Sequence, residues 1–500
     1  IDDRDNAFVL QNGVSIYGGF AGFESSVNSR QYLPLATGNS GGEAMLTGKV
    51  GSEEDETDNL YHIIVASGIT ASSNTVVDGF VIRDSYSNGT GEITCNGNTI
   101  KRNNGGGVYN KASEYELKNS LIEYNYVTGN GGGVYNENCL AGMVINASQI
   151  SNNSAVKGGA VANVSGAPVI KATTIKNNAA TADGGGVYNE STGAVISDLS
   201  VLTQNNAISG GAVYNVFSTG TLSNVSLTAN TADYGAGAYS AISNATIFDR
   251  VRVKDNVAQH EGGAFYIQGD SNATVSGVDS FSNCLVTGNS ALEKGGAIYY
   301  KSGANATFSG VNAGIVFTNG TFDANTASGE GAFLYYENSG AAQAPPVFRN
   351  SIIVNGGNAT FIDTSSSGGI GSVIFNYVLT DVENLGANFN TGNNILASDP
   401  QFSNALIGDY TLDTNSPAVN RGLTEYYNAG FVPDLYAMTK DFSGNERVYD
   451  GFIDMGAYEW QELAPCTITT VWDGASWSNG VPESIEYAAI FEGCLLYTSD

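Results

Sequence analysis

A two-part repeat runs through the middle of this chain and leaves few folds open. Two glycines, a small residue and an apolar residue recur as Gly105-Gly106-Gly107-Val108 and again ahead of Val134, Val161, Val187 and Val213. The pattern decays to Gly235-Ala236-Gly237-Ala238. It returns as Gly262-Gly263-Ala264-Phe265 and Gly295-Gly296-Ala297-Ile298, with Gly331-Ala332-Phe333 as a degenerate further copy. Successive apolar anchors are 26, 27, 26, 26, 25, 27 and 33 residues apart. A second element, apolar-x-x-Asn, precedes most copies: Ile122/Asn125, Ile150/Asn153, Ile175/Asn178, Leu202/Asn205, Leu227/Asn230, Val253/Asn256, Val286/Asn289 and Phe322/Asn325. Two linked motifs that keep phase over this length define a repeat array, in which each unit buries its apolar face only against its neighbours.

The units lack a stretch of helical periodicity long enough for a leucine-rich, ankyrin or tetratricopeptide repeat. Each instead holds three short apolar or alternating runs, such as Val195–Leu202, with Gly, Asn, Asp or Ser between them. About 26 residues carrying three short strands predicts one coil of a right-handed parallel β-helix, an all-β solenoid whose coils stack about 4.8 Å apart. The anchors then point inward. The glycines supply corners with positive φ. The recurring Asn fits a turn in the left-handed region, where stacked amides also bond along the axis.

Composition agrees with an array. Gly numbers 64 of 500 residues, 42% are hydrophobic and only 14% charged. A net charge of −29 with 20 Lys plus Arg excludes a nucleic-acid binder, which needs a basic face against phosphate, and disfavours anionic lipid. Cys95, Cys139, Cys284, Cys466 and Cys494 are scattered and form neither a disulfide framework nor a zinc pattern. No segment is apolar enough over sufficient length to span a membrane. Ile1 reads as an internal start. The expected organisation is a β-helix over residues 1–460, with regular coils over about 100–340 and a closing module over about 390–460. Residues 461–500 read as an incomplete second β-rich module or a truncated tail.

Gly158-Gly159-Ala160-Val161, Gly210-Gly211-Ala212-Val213, Gly295-Gly296-Ala297-Ile298 and Phe322-Asp323-Ala324-Asn325 resemble the repeats of polymorphic outer membrane proteins, β-helical surface adhesins of bacteria. Only the last keeps the Phe of that family's second motif; the other copies carry Ile, Leu or Val. Ile16–Gly22, Asp58–Val65 and Val77–Ile82 resemble the opening coils of bacterial β-helix surface proteins. Asp399–Phe402, Asp409–Leu412, Ser416–Asn420 and Asp454–Glu459 resemble a choice-of-anchor closing module. The resemblance implies a secreted or outer-membrane-associated passenger with a structural or adhesive role and no catalytic residues. Its partner would be a glycan or a surface protein.

Parallel β-helices also include polysaccharide lyases and glycoside hydrolases, the alternative function. A polygalacturonase-like site needs Asn-x-Asp, paired Asp, Gly-His-Gly and Arg-x-Lys on neighbouring coils. Only Arg252-Val253-Lys254 matches, with His260 after it in the wrong order. A lyase would need calcium-binding carboxylates and a base. Asp183, Asp233, Glu261, Glu293 and Glu330 all precede glycine corners; Asp183, Asp233 and Glu261 are the calcium candidates, and no other cofactor is expected. His62 and His260 stand 198 positions apart, as structural or surface residues. The candidate binding residues are Tyr109, Tyr135, Tyr188, Tyr214, Tyr239, Tyr266 and Tyr299, each directly after an anchor, with Ala162 interrupting the series. Strand alternation turns them outward into a ladder on one face. The ladder serves either to stabilise neighbouring strands by stacking or to bind a glycan or protein partner, because Tyr offers rigid apolar area with a polar tip.

Overall fold

A computed structural model describes residues 3–461, apart from 32, 36–42, 52–54, 71–73, 242–245, 270–278, 303–314, 339–344, 355–361, 367–372, 383–388, 392–394 and 432. The chain divides into two units, Ile1–Glu459 and Trp460–Asp500. The expected second module at 461–500 lies almost wholly outside the described residues.

The first unit is a right-handed parallel β-helix. One coil shows the logic. Val161–Gly166 lies in a first sheet, Val169–Lys171 and Thr174–Lys176 form two tracks of a second, and Ala179–Asp183 belongs to a third. The next coil repeats the path, with Val161 paired to Val187, Ile170 to Ile196, Ile175 to Leu202 and Ala179 to Asn206. A coil therefore holds four short strands where three were expected. Val195–Leu202, a single run in sequence, breaks at Asp198 and Leu199, both at positive φ. Leu199 hid the break by being apolar; it is 73% exposed.

Inward residues stack into columns. Leu117, Ile145, Ile170, Ile196 and Leu222 continue as Phe248, Phe281, Phe317, Phe348 and Phe375 along one track. Every member is buried, and the Phe rings from 248 to 348 lie face to face at 4.2–5.1 Å.

The glycines close each coil. Gly158 sits at φ 65°, and a Cβ on Gly159 would stand 2.5 Å from the Gly185 carbonyl and 2.6 Å from that of Ala179. The first glycine supplies the turn and the second the close approach of the next coil. In the degenerate copy Leu334, not Phe333, is the anchor paired with Ile298, which adds Tyr335 to the tyrosine series.

The recurring Asn does not occupy the left-handed position. That falls one residue earlier, at Tyr124, Asn152, Asn177, Gln204, Ala229, Asp255, Gly288 and Ala324. The corner thereby aims the next side chain, the recurring Asn, into the wall, where it is buried at every coil from Asn125 to Asn325. Asn178 is typical. Its Oδ1 accepts from the Asn153 backbone N–H and Nδ2, each at 3.0 Å, while its Nδ2 donates to the carbonyl of Ile150 and to Asn205 Oδ1, each at 3.0 Å. The axial amide ladder expected from the sequence is present and satisfies backbone groups that water cannot reach. Asn178→Ala is expected to leave the buried Asn153 N–H and Ile150 carbonyl without these partners, at about 2–3 kcal/mol by urea unfolding. Asn177→Ala, one residue away on the exposed corner, is expected to cost well under half of that.

A second amide column is formed by Asn110, Asn136, Asn163, Asn189 and Asn215, two residues after each anchor and buried. Each Nδ2 donates to the next Oδ1, at 3.2, 2.7, 2.8 and 2.9 Å. The column ends with Asn110 Oδ1 and Asn215 Nδ2, which have no partner among the described residues.

Residues 400–459 pack on the corners at Asn283, Asn319 and Asn350, all at positive φ. Asn319 Nδ2 donates to the Asp454 carbonyl at 2.7 Å, the Gly456 N–H to that of Asn350 at 2.7 Å, and the Ala457 N–H to Thr321 Oγ1 at 2.9 Å. Arg447 is fully buried at the centre, ion-paired to Glu459 at 2.6 Å and donating to the carbonyls of Gly456 and Ala457.

Candidate functional site

The tyrosine ladder forms on the first sheet. Tyr109 pairs with Tyr135; after Ala162, register runs from Tyr188 through Tyr214, Tyr239, Tyr266 and Tyr299 to Tyr335. From Tyr188 onward the rings stack at 4.5–5.5 Å with interplanar angles of 8–19°. The side chains pack apart from the lumen core, in clusters of their own, as outward alternation requires.

The ladder differs from expectation in what it offers to solvent. Tyr109, Tyr135, Tyr188, Tyr266 and Tyr299 are buried, and Tyr214 and Tyr239 are only partly exposed. From Tyr188 onward a coil spacing of about 4.8 Å brings consecutive rings face to face, so each covers its neighbours. Tyr109 instead meets Tyr135 edge-on at 66°, in a cluster with Ile93, Cys95 and Ile100. The polar tips are also engaged. Tyr109 donates to Glu137 at 2.8 Å, Tyr188 to Glu190 at 2.9 Å and Tyr239 to Gln268 at 2.7 Å, and Tyr299 donates to Glu337. Lys157 and Lys294 donate to Tyr188 and Tyr335 at 3.1 and 3.0 Å. Burial pushes the Tyr214 phenol up to about 12, with the carboxylates of Asp183 and Glu190 adding to the rise. Burial also raises Tyr109, Tyr188 and Tyr299.

The acidic series before the glycine corners is not a continuous column. Register places Asp183 between Lys157 and Ser209, and Glu261 between Tyr234 and Lys294, which is followed by Glu330. Asp233 and Glu293 lie one residue off this line, because Tyr234 and Lys294 occupy it. Lys157 lies 3.4 Å from Asp183, and His260 lies 2.7 Å from Glu293. The calcium candidates Asp183, Asp233 and Glu261 are thus not brought together. Among the described residues no group of three His, Cys, Asp or Glu is arranged to hold a metal. Burial raises the Glu261 carboxyl. Arg252 lies over the Phe442 ring at 5.0 Å and Lys254 lies 3.5 Å from Asp255, both away from His260, which belongs to the third sheet.

His62 is buried beside the ladder's first ring, 5.3 Å from Tyr109 and edge-on to it. Nδ1 lies 3.0 Å from the Gly105 carbonyl, and Nε2 has no partner among the described residues. Burial lowers its pKa to about 4. The unfolded chain takes up this proton near pH 6.5, before the folded chain does, so the site loses stability as pH falls from about 6.5 to about 4. The full loss amounts to about 3 kcal/mol. His62→Gln is expected to unfold at a urea midpoint less sensitive to pH across that window. An unchanged pH slope would remove His62 from the acid response.

The fold and ladders define the class as a parallel β-helix built from repeats. The Chlamydia polymorphic membrane protein (Chlamydia_PMP) repeat matches residues 283–301. That segment carries the strands Leu285–Thr287 and Ile298–Lys301, the ladder residue Asn289, the Gly295 corner and Tyr299. No curated protein matches the chain. No helix of the described residues is long and apolar enough to cross a membrane.

Proposed function

We propose that this chain is the passenger of a bacterial surface protein, displayed at the outer membrane, with a structural and adhesive role and no catalytic step. The supporting observation is the polymorphic membrane protein repeat at 283–301, set within a solenoid whose amide and tyrosine columns run through its neighbouring coils. Parallel coils bonded along the axis give a stiff body without free lateral strand edges, apt for holding a recognition surface away from a membrane. In this reading the closing module at about 390–460 is of the choice-of-anchor type, and its residues 400–459 shield the corners they cover. The partner is a glycan or a surface protein, and no calcium is needed.

The test has two arms. Protease shaving of intact producing cells is expected to release peptides of this chain, and beads coated with the full chain are expected to be retained on cell or glycan surfaces. Protection in intact cells would sink the surface assignment. Release of reducing ends from polysaccharide in proportion to added protein would sink the non-catalytic part.

A further inference from the structure

One aromatic surface open to solvent lies away from the ladder, on the corner between the second and third sheets. Tyr124 is 51% exposed and Tyr126 39% exposed. Tyr126 stacks on Tyr86 in the preceding coil at 4.8 Å and 21°, and Arg83 stands 5.1 Å from the centre of the Tyr124 ring. Tyr124 occupies the left-handed corner position, which turns its side chain out of the wall while Asn125 turns in.

The same corner on the next three coils carries Asn152, Asn177 and Gln204. Their backbones stack in order, with the Asn152, Asn177 and Gln204 N–H groups donating to the carbonyls of Lys176, Thr203 and Thr228. Asn177 and Gln204 are exposed and Asn152 partly so. Each side chain is a planar amide with donors and acceptors open to a ligand. Lys176, beside Asn177, projects from the outer face of Thr174–Lys176, and Lys171 from the adjoining strand of the same coil. Among the described residues, Lys118, Lys157, Lys254, Lys294 and Lys301 each have a carboxylate within 4.0 Å, whereas Lys171 and Lys176 form no such ion pair and feel Glu116 and Glu123 only at longer range. Glu123 and Glu116 pair directly with Arg83 at 3.4 Å and Lys118 at 2.8 Å.

We propose that the corner formed by Tyr86, Tyr124, Tyr126, Asn152, Asn177 and Lys176 is a binding site for a linear uronate-bearing glycan. Sugar C–H faces stack on the exposed tyrosine rings, as apolar ring faces favour. Hydroxyls bond to the Asn152, Asn177 and Gln204 amides, and a uronate carboxylate pairs with Lys176. A neutral glycan would leave that cation unused, and a protein partner would find here a narrow polar strip with little apolar area to bury. The site rests on the adhesive reading and names its ligand class and location.

The probes are tetragalacturonate and xylotetraose, titrated calorimetrically into the full chain. Tetragalacturonate is expected to bind. The Tyr124→Ala/Tyr126→Ala double variant is expected to weaken it about tenfold or more, as truncating aromatic anchors does. Lys176→Gln is expected to weaken tetragalacturonate several-fold without changing xylotetraose. Both variants alter exposed side chains, and a circular dichroism melt matching the parent verifies folding. Failure of tetragalacturonate to bind, or binding indifferent to these variants, overturns the site. Equal affinity for xylotetraose overturns the uronate class. Bead retention on cells separates the two levels: retention that survives all three substitutions leaves the adhesive reading standing while the site falls, and absence of retention in the parent chain removes both.

Discussion

Phe317→Ala is expected to destabilise the solenoid by about 3–5 kcal/mol, the range for deleting a buried Phe side chain. Phe317 has no exposed area; it stacks on Phe281 at 4.2 Å and Phe348 at 5.1 Å and meets Phe322 edge-on at 5.4 Å. These neighbours cannot collapse into the space. Backbone pairing of Phe281 with Phe317 and Phe317 with Phe348 holds the strands in place, so the cavity stays largely open. The defect should also be local. In a stack where coils touch mainly their neighbours, weakening one interface divides the array. Hydrogen exchange of Phe317→Ala should therefore quicken around residues 281–348 before it does around 108–187. Uniform quickening along the whole chain would mean that the coils unfold as one unit.

Arg447→Met is expected to cost a comparable amount, about 3–5 kcal/mol, for a different reason. The guanidinium pairs with Glu459 at 2.6 Å and also donates to the Gly456, Ala457 and Tyr458 carbonyls and to Asn283 Oδ1. Its removal strands a buried carboxylate and several carbonyls beside the solenoid. The loss falls on residues 420–459 and on their seat at Asn283 and Asn319, so trypsin and chymotrypsin should cleave this segment first. Arg447→Met combined with Glu459→Met is expected to recover part of the stability, because it removes the stranded charge as well. A double variant no better than the single would show that the carbonyl bonds, not the ion pair, hold the segment down.

The repeat made the coils legible, because a glycine corner and an amide ladder both demand particular residue types at fixed intervals. It was silent where the demand falls on conformation alone. The positive-φ corner inside Val195–Leu202 is filled by Asp198 and Leu199, and in other coils by Asn119, Ala147, Ala172, Asn224 or Arg250, so no residue type marked the fourth strand. The recurring Asn was recognised as a stacking residue but placed one position too late in the turn; the residue before it varies from Tyr124 to Ala229 and left no pattern to read. The buried column from Asn110 to Asn215 did leave one, Val-x-Asn after each glycine corner, which the tyrosine between anchor and amide overshadowed. For the ladder itself, alternation gave direction and register correctly. Exposure escaped it, because burial there comes from the rings covering each other from Tyr188 onward and from a cluster with Ile93, Cys95 and Ile100 around Tyr109 and Tyr135, not from the strand. The acidic series does not share one register: Tyr234 and Lys294, not Asp233 and Glu293, stand directly before Gly235 and Gly295, and an offset of one residue is enough to separate a carboxylate pair.

Placing the tyrosine ladder within the architecture, and recognition on the corner at Tyr124, sorts the tyrosines by accessibility. Brief nitration of the folded chain with tetranitromethane, read out by peptide mass spectrometry, measures that order directly. Tyr124, Tyr126 and the 68% exposed Tyr436 are expected to react first, while Tyr109, Tyr135, Tyr188 and Tyr299 stay unmodified until the chain is unfolded. Ladder tyrosines that nitrate as fast as Tyr124 in the folded chain would contradict the account and return the binding face to the ladder.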